Sequence, residues 1–264
     1  MADIVLIGVE CAPVGLVGGS LMATIDMIAM GIYRISSFVP VWNITVNQFL
    51  IADDAPTLIH TGMYPMYDDV RKAIAQVLDP ARLRYVVVLH FESDECGCMG
   101  RLLEAAPDAV LVCSRTGAAI NLSQWDYSGP VLGVQDGDTL DLGMHSLRFL
   151  ETPHVHHWDS LMLVEETTGS LFPADLFVQP GEQPAIVRED LGKQMCELYR
   201  EIGIFAASEP VLRVLQRLER LGLQWVHPMH GGSLARDLWP KYAQALRTEP
   251  FAFDGTLLGK RLPE

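Results

Sequence analysis

The sequence has little positive charge and an excess of acidic residues. Its 264 residues contain 19 Lys and Arg against 33 Asp and Glu, so the formal net charge is −14. Such an acidic chain is a poor partner for nucleic acid or for an anionic membrane surface. Bound divalent metal ions would offset part of this negative charge, because they add positive charge that a residue count misses. We therefore expect neither nucleic acid nor a membrane to be a partner.

Cysteine is scarce, and the first thirty residues lack a targeting pattern. An odd number of cysteines without regular spacing does not predict a disulfide framework. The start, Met-Ala-Asp, has no basic region, and the nearby apolar stretches are broken by Gly15, Gly18 and Asp26, which leaves them too short to span a bilayer. We therefore predict a cytoplasmic protein in a reducing compartment. The five cysteines are Cys11, Cys96, Cys98, Cys113 and Cys196.

The composition, 49% hydrophobic and 20% charged, is typical of a folded globular protein. Short apolar runs alternate with amphipathic stretches, and several of the predicted strands come in hairpin pairs. This pattern favours a mixed α/β protein over a purely parallel sheet, and no linker divides the chain, so we expect one domain over residues 1–264. Within the first 32 residues, whose role stays open, we predict a strand at 3–9 and a helix from Ser20 to Ala29. The other predicted strands cover 33–36, 46–51, 57–60, 86–89, 109–113, 131–134, 139–142, 146–150, 161–164, 170–172 and 224–227, and the other helices cover 68–78, 191–201, 208–221 and 234–247.

One polar stretch directly follows the predicted buried strand at 86–89. It reads His90-Phe-Glu92-Ser-Asp94-Glu95, and residues two apart in an extended loop project to the same side. His90, Glu92 and Asp94 are therefore expected to converge on one small volume. Imidazole and carboxylate together suit iron, manganese or zinc. An exposed polar loop without metal is the alternative that this stretch alone leaves open.

Three further strand ends carry potential metal ligands. His154, His156 and His157 crowd together after one strand, Asp175 ends another, and His230 follows a third. Four such loops are what a binuclear site needs, with two sets of terminal ligands and one bridging carboxylate. The remaining histidines are expected to be structural, exposed or hydrogen-bonded behind a ligand: His60, His145 and His227.

The order of these motifs resembles the metallo-β-lactamase superfamily, whose usual first motif is His-x-His-x-Asp-His. Here the motif reads His90-x-Glu92-x-Asp94-Glu95. The glutamate at the second ligand position is similar to the diiron branch, which comprises the β-lactamase-like domain of flavodiiron proteins and stand-alone oxygen-binding diiron proteins. The resemblance covers roughly residues 33–233 and implies a four-layer αββα sandwich of two mixed sheets flanked by helices. Other local matches are Thr152-Pro153-x-x-His156, Asp159-Ser160-x-Met162, Val112-Cys113-Ser114, Phe172-x-x-Asp175 and Pro228-x-His230-Gly231.

The resemblance also implies which residues hold the metal. One iron would take His90, Glu92 and His156, the other would take Asp94 and His230, and Asp175 would bridge them. An oxo or hydroxo group would join the two irons (Fe–O–Fe), and an open position would accept a diatomic ligand. Zinc or manganese in place of iron is the alternative.

Two residues near these ligands are candidates for a catalytic role. Glu95 stands where the family motif ends in histidine, and it would ligate metal, accept a proton through water or face solvent. His154 competes with His156 for the ligand position, because one sequence does not fix the register of this loop. Beside them, His157 is expected to support a ligand or lie at the surface.

The resemblance implies binding, and reduction where the protein is an enzyme, of dioxygen or nitric oxide. Flavodiiron enzymes carry a flavodoxin-like domain that delivers electrons, whereas this sequence leaves no room for one and has no rubredoxin-type Cys-x-x-Cys pair. We therefore expect an external electron donor of the flavodoxin, rubredoxin or flavin-reductase type. Related proteins often pair head to tail, so a homodimer is expected.

Two other functions stay open. One is a non-catalytic gas sensor, because the same iron ligands serve binding and reduction. The other is a hydrolase in which two zinc ions activate a hydroxide against an ester, thioester, lactam or lactone. Glu92 argues against the hydrolase.

Overall fold

A computed structural model describes residues 22–125 and 127–263. Within these residues, seven strands form the first sheet in their order along the chain. The first four pair antiparallel and the last four run parallel, so the sheet is mixed. Parallel neighbours need crossover connections, which helices supply on one face of this sheet. The strands are β1 (Thr24–Ala29), β2 (Ile32–Val39), β3 (Ile44–Ile51), β4 (Thr57–Ile59), β5 (Tyr85–Val87), β6 (Val110–Ser114) and β7 (Val131–Val134), and the helices are α1 (Tyr67–Ile74), α2 (Ser93–Cys96), α3 (Met99–Ala105) and α4 (Arg115–Ile120).

The second sheet has six strands in the spatial order β13-β12-β11-β10-β9-β8. Its neighbours pair antiparallel except for β11 and β12, which run parallel because two helices connect them. A small hairpin, β14 with β15, follows the last helix. The elements are β8 (Thr139–Asp141), β9 (Ser146–Glu151), β10 (Leu161–Glu165), β11 (Ser170–Phe172), α5 (Gly192–Ile202), α6 (Glu209–Leu218), β12 (Trp225–Val226), β13 (Leu234–Ala235), α7 (Trp239–Thr248), β14 (Thr256–Leu257) and β15 (Lys260–Arg261).

Three buried apolar clusters define four layers. The central cluster lies between the sheets, where the rings of Phe49 and Phe172 meet edge to face with centroids 5.0 Å apart. A second cluster packs the first sheet against α1 and α3, and a third packs the second sheet against α5, α6 and α7. Each sheet is therefore buried on both faces, which explains why its central strands are apolar runs and do not alternate. The predicted αββα sandwich of two mixed sheets is confirmed.

The described end of the N-terminal segment, at residues 24–29, joins the first sheet. The helix predicted from Ser20 to Ala29 is wrong, because Thr24–Ala29 forms β1 and pairs antiparallel with β2. Thr24, Ile25 and Ile28 are β-branched, and Ile28 is buried in the central cluster. The strand predicted at 3–9 lies outside the described residues.

No helix in the described part of the chain is both long enough and apolar enough to cross a membrane.

A carboxylate after β3 ties the two sheets together. Asp53 accepts hydrogen bonds from the backbone N–H groups of Met144 and His145 at 3.1 and 2.7 Å, and it faces His145 Nδ1 at 2.7 Å. His145 Nε2 lies 3.0 Å from the Met30 carbonyl oxygen, so the same ring also holds the turn after β1. Burial raises the pKa of Asp53, but the hydrogen bonds outweigh burial and lower that pKa to about 2.

Replacing Asp53 with alanine should lower the free energy of unfolding by about 1–2 kcal/mol, because the N–H groups of Met144 and His145 and the His145 ring lose their acceptor. A carboxylate with a lowered pKa stabilises the fold only while it is ionised. The deficit should therefore be full above the ordinary pKa of 3.8 and should shrink as the pH falls towards 2. Denaturant unfolding across this pH range measures it, and Asp54→Ala, which removes an exposed neighbour, is the control. Equal effects of the two substitutions would contradict this account.

Candidate metal centre

Imidazole and carboxylate groups from four loops meet at one end of the sandwich. His90 and Glu92 follow β5, and Asp94 and Glu95 lie on the short helix α2. The other three come from the second sheet, and each of them follows a strand: His156 after β9, Asp175 after β11 and His230 after β12. All six residues predicted to hold metal are therefore close together. They fall into three overlapping sets of potential ligands, and within each set the ligand atoms lie within 4.8 Å of one another.

The segment after β5 is not the extended loop that the sequence predicted. Residues 93–96 form one helical turn, and Glu92 before it is extended. Thr61 fixes this turn, because its N–H and hydroxyl donate to the Glu95 backbone carbonyl at 2.6 and 2.9 Å. The chain then passes so close to its neighbours that a β-carbon on Gly97 would lie 2.7 Å from the Tyr64 nitrogen. The turn sends Asp94 away from His90 and Glu92, towards a different partner.

One group of ligand atoms gathers around one oxygen of Asp175. Its Oδ2 lies 3.1 Å from His90 Nε2 and 3.1 Å from His156 Nε2. Glu92 Oε2 completes the group, 3.0 Å from His156 Nε2 and 3.4 Å from His90 Nε2. Ligand atoms about 2.1 Å from a common ion and at right angles to each other are about 3 Å apart, so this spacing suits a metal ion.

A second group gathers around the other oxygen of Asp175. Its Oδ1 lies 3.2 Å from His230 Nε2, which is also 3.2 Å from Asp94 Oδ2. The other ring nitrogen of His230 lies 2.7 Å from the Thr45 carbonyl oxygen, an acceptor that leaves Nε2 free to bind metal. Asp175 therefore presents one oxygen to each group, as a bridging carboxylate does.

Glu95 lies between the two groups. Its side chain is 0% exposed, and Oε1 is 3.5 Å from His90 Nε2. Neither oxygen accepts a hydrogen bond from the described residues. Burial, together with the carboxylates of Asp175 and Asp94, raises the pKa of Glu95 well above its usual value. The alternative in which Glu95 faces solvent is wrong, and a buried carboxyl without a donor is suited to receive a cation.

The histidines and carboxylates of the centre shift each other's pKa values towards the charged forms. Burial would lower the pKa of His90 and of His230, but the facing carboxylates outweigh it and raise these pKa values to about 9 and about 10. Contacts with His156 and His90 hold the pKa of Glu92 far below its usual value. A metal ion would replace these protons, so binding should release protons and strengthen as the pH rises.

The structure does not bring His154 to this centre. Its side chain is exposed, and its backbone has a positive φ of 67°. His157 is the neighbour that points inward, with Nε2 3.6 Å from Glu92 Oε2 and its ring 4.5 Å from that of His156. Asp159 faces the other side of His157, 3.7 Å from Nδ1. Sequence spacing alone could not select among three histidines in four positions.

Two supporting residues lack any sequence signal. Tyr199 on α5 donates from its hydroxyl to the Asp175 backbone carbonyl at 2.6 Å. Asn47 on β3 donates to the carbonyls of Pro228 and Gly231 at 3.0 and 2.7 Å, which fixes the loop that carries His230. Both act through backbone atoms, so no spacing motif marks them.

A cavity of about 560 Å³ opens onto the centre. Its floor includes Glu92, Asp94, Asp175 and His230, so the carboxylate side of both groups is reachable from outside. Its walls are mostly apolar and come from the loop before β3, from α5 and from the terminal hairpin. Apolar wall residues include Val41, Trp42, Val178, Leu198, Ile202, Ile204 and Leu258.

Several known proteins are similar to this chain. The rubredoxin-oxygen oxidoreductase of Megalodesulfovibrio gigas is 32% identical over 71% of this chain and 48% of its own length. The nitric oxide reductase of Moorella thermoacetica is 33% identical over 51% of this chain and 34% of its own length. The chain thus spans a third to a half of these two relatives.

Solved structures share the fold. The flavodiiron core from Synechocystis superposes with a TM-score of 0.75 at 25% identity, over 85% of this chain and 61% of that one. The rubredoxin oxygen:oxidoreductase from Desulfovibrio gigas superposes with a TM-score of 0.76 at 23% identity, over 85% and 60% of the two chains. The pattern of the family described as ODP family beta lactamase matches residues 44–231, which is more than half of the chain. The chain belongs to the ODP family beta lactamase proteins, and its relatives include the metallo-β-lactamase-like diiron domain of flavodiiron proteins.

Proposed function

We propose that this protein holds two iron ions and binds and reduces dioxygen or nitric oxide. The observation that carries the proposal is Asp175, whose two oxygens face two separate sets of imidazole and carboxylate groups. A mononuclear site would not need a carboxylate whose two oxygens face two separate sets of ligands. The relatives named as an oxygen oxidoreductase and a nitric oxide reductase support the choice of gas.

The ligand assignment follows the two groups. His90, Glu92 and His156 would hold one iron, Asp94 and His230 the other, with Asp175 shared. The donor set fits iron, because hard carboxylate oxygens outnumber what zinc usually takes, although the general affinity order favours zinc over ferrous iron. The buried carboxyl of Glu95 adds a further oxygen donor between the groups.

Ferrous ions, when bound, would supply electrons and an open position for the diatomic gas. The residues of the chain create the conditions for this chemistry. Carboxylates of Glu92, Asp94 and Asp175 offset the positive charge of the ions at the floor of the cavity. The apolar walls exclude water from the approach and suit dioxygen and nitric oxide, which are themselves small and apolar.

Reduction consumes electrons, and we propose that they come from a separate donor protein of the flavodoxin, rubredoxin or flavin-reductase type. The similarity to the rubredoxin-oxygen oxidoreductase of Megalodesulfovibrio gigas supports that class of donor for this chain. We further propose a cytoplasmic homodimer made of single-domain subunits.

A second candidate function is hydrolysis of an ester or lactone by two zinc ions. The observation that favours it is the size of the cavity, because about 560 Å³ is far more than a diatomic gas needs and is typical of sites for small organic molecules. Glu92 in place of a histidine argues against it, since zinc hydrolase sites rely more on nitrogen donors.

Metal analysis combined with two activity assays tests the proposal. Protein purified without added metal should contain two irons per chain, consume dioxygen or nitric oxide when a reduced rubredoxin or flavodoxin is added, and leave ester substrates intact. Two zincs with ester turnover would overturn the proposal in favour of the hydrolase. Two irons with reversible gas binding and no consumption under any donor would overturn the reductase and indicate a sensor.

A further inference from the structure

Arg34 is a buried arginine that forms no ion pair with any carboxylate of the residues that the structure describes. Arg34 on β2 is 2% exposed, and its guanidinium donates to Asn47 Oδ1 at 3.0 Å and to the Gln183 carbonyl at 3.3 Å. Both partners are neutral, and no carboxylate oxygen of residues 22–125 or 127–263 lies within 4.0 Å of the guanidinium nitrogens. A buried cation normally has an anionic partner, because removing a charge from water without one is unfavourable.

The guanidinium lines a cavity that has room for such a partner. This space, which we call the Arg34 pocket, has a volume of about 240 Å³. The other residues that line it are mostly polar: Thr24, Ser36, Thr45, Gln183 and Glu182, with Met22 and Phe38. Hydroxyl groups and a guanidinium around one open volume are typical of sites that bind oxyanions, since all of them donate hydrogen bonds.

We propose that the Arg34 pocket binds a small oxyanion of the size of phosphate or sulfate. Two acidic groups face the pocket region and limit its affinity. Asp26 stands opposite Arg34 in the β1–β2 ladder, and the exposed Glu182 lies at the rim. The burial that lowers the pKa of Arg34 to about 10 exceeds the opposing effect of Asp26, so the cation is only partly compensated.

The pocket is connected to the loop that carries His230. Asn47, which accepts from Arg34, holds the carbonyls of Pro228 and Gly231 through its amide. Thr45, in the pocket wall, accepts from the Gly231 N–H at 2.7 Å and presents its carbonyl to His230 Nδ1. An anion that fixes Arg34 and Thr45 therefore restrains the backbone on both sides of His230. We infer that the bound anion slows release of the metal ion that His230 holds, a step that rests on the proposed metal centre.

Sulfate binding to the metal-loaded protein, followed by calorimetry at constant ionic strength, tests the site. Wild-type protein should bind one sulfate per chain, and a concentration a hundredfold above Kd should raise Tm by about 5 °C. Arg34→Gln should weaken binding at least tenfold while it retains every metal ligand, which separates this site from sulfate bound to metal. Asp26→Asn should bind several-fold tighter, and Arg213→Gln, which removes an exposed arginine, should bind as wild type does.

The outcomes separate the site, its coupling and the proposed function. Absence of saturable binding, or equal binding by Arg34→Gln, would overturn the site. If Arg34→Gln does not fold, unchanged affinity in Asp26→Asn would overturn it instead. Sulfate should slow metal loss to a chelator several-fold in wild type and not in Arg34→Gln, and equal rates would overturn the coupling. Two bound zincs would end the iron proposal and leave the sulfate result intact.

Discussion

Replacing Asp175 with alanine should reduce the metal content from two ions per chain to at most one and abolish gas consumption. Asp175 Oδ2 contacts His90 and His156, and Oδ1 contacts His230, so the substitution would remove one ligand from each of the two proposed ions. Loss of a single supporting partner typically costs 10–100-fold in metal affinity, and loss of a shared ligand should cost more than about 100-fold for at least one ion. Metal analysis after dialysis measures the content, and oxygen or nitric oxide uptake measures the activity.

The control must remove a buried carboxylate near the centre without removing a ligand. Asp159 accepts a hydrogen bond from the Asn121 side chain at 3.0 Å and faces His157. It belongs to none of the overlapping sets of potential metal ligands. Asp159→Asn should therefore retain two metal ions, and circular dichroism should show that both variants are folded. Two tightly bound ions in Asp175→Ala would contradict the bridging role.

Much of the fold could be predicted from the sequence because its strands are short apolar runs bounded by turns. The Thr168-Gly169 turn joins β10 and β11 as an antiparallel pair, as its position between two apolar runs indicates. Ser114 is a typical cap residue directly before α4, and its hydroxyl accepts from the Gly117 N–H at 2.8 Å. These features depend on residues close together in the chain, which is where sequence patterns are strongest.

Elements defined by distant partners were harder to predict. The last long helix was expected from Leu234, but Leu234 and Ala235 pair with β12 and the helix begins at Trp239. The Asp136-Gly137 turn looks like a hairpin turn, yet it carries the chain from the first sheet to the second. In both cases the local sequence is compatible with either structure. Only the strand that lies beside the segment in the fold decides between them.

The residues of the candidate centre also differ in how well the sequence predicts them. Residues at strand ends, such as His90 and Asp175, could be found because the carboxyl ends of strands gather loops at one edge of a sheet. The choice of His157 over His154 as the neighbour that faces inward depends on loop geometry that spacing does not encode. The burial of Glu95 depends on Thr61, 34 positions away, which fixes the helical turn.

Glu95 therefore supports a second prediction with a large effect. Replacing Glu95 with alanine should lower the affinity of the ion proposed at Asp94 and His230 by about 10–100-fold and leave the ion proposed at His90, Glu92 and His156 in place. Glu95 could join either ion, because it shares one set of potential ligands with Asp94 and His230 and another with His90, Glu92 and Asp175. The proposed ion at Asp94 and His230 has one ligand fewer than the other, so it should depend more on Glu95, whose oxygens accept no hydrogen bond from the described residues. Stepwise metal titration should then show one tight and one weak site in place of two tight ones.

Two matched variants distinguish a ligand from a packing residue at this position. Glu95→His places an imidazole where the family motif has one, so it should restore the second tight site if Glu95 binds metal. Glu104→Ala removes an exposed glutamate on α3 and should leave both sites tight. If Glu95 only fills space, Glu95→Gln, which keeps the volume and removes the charge, should bind two ions as tightly as wild type. If Glu95→Gln loses the second tight site and Glu95→His keeps it, the Glu95 carboxylate is a metal ligand. Only a side chain that donates an electron pair to the ion accounts for both results.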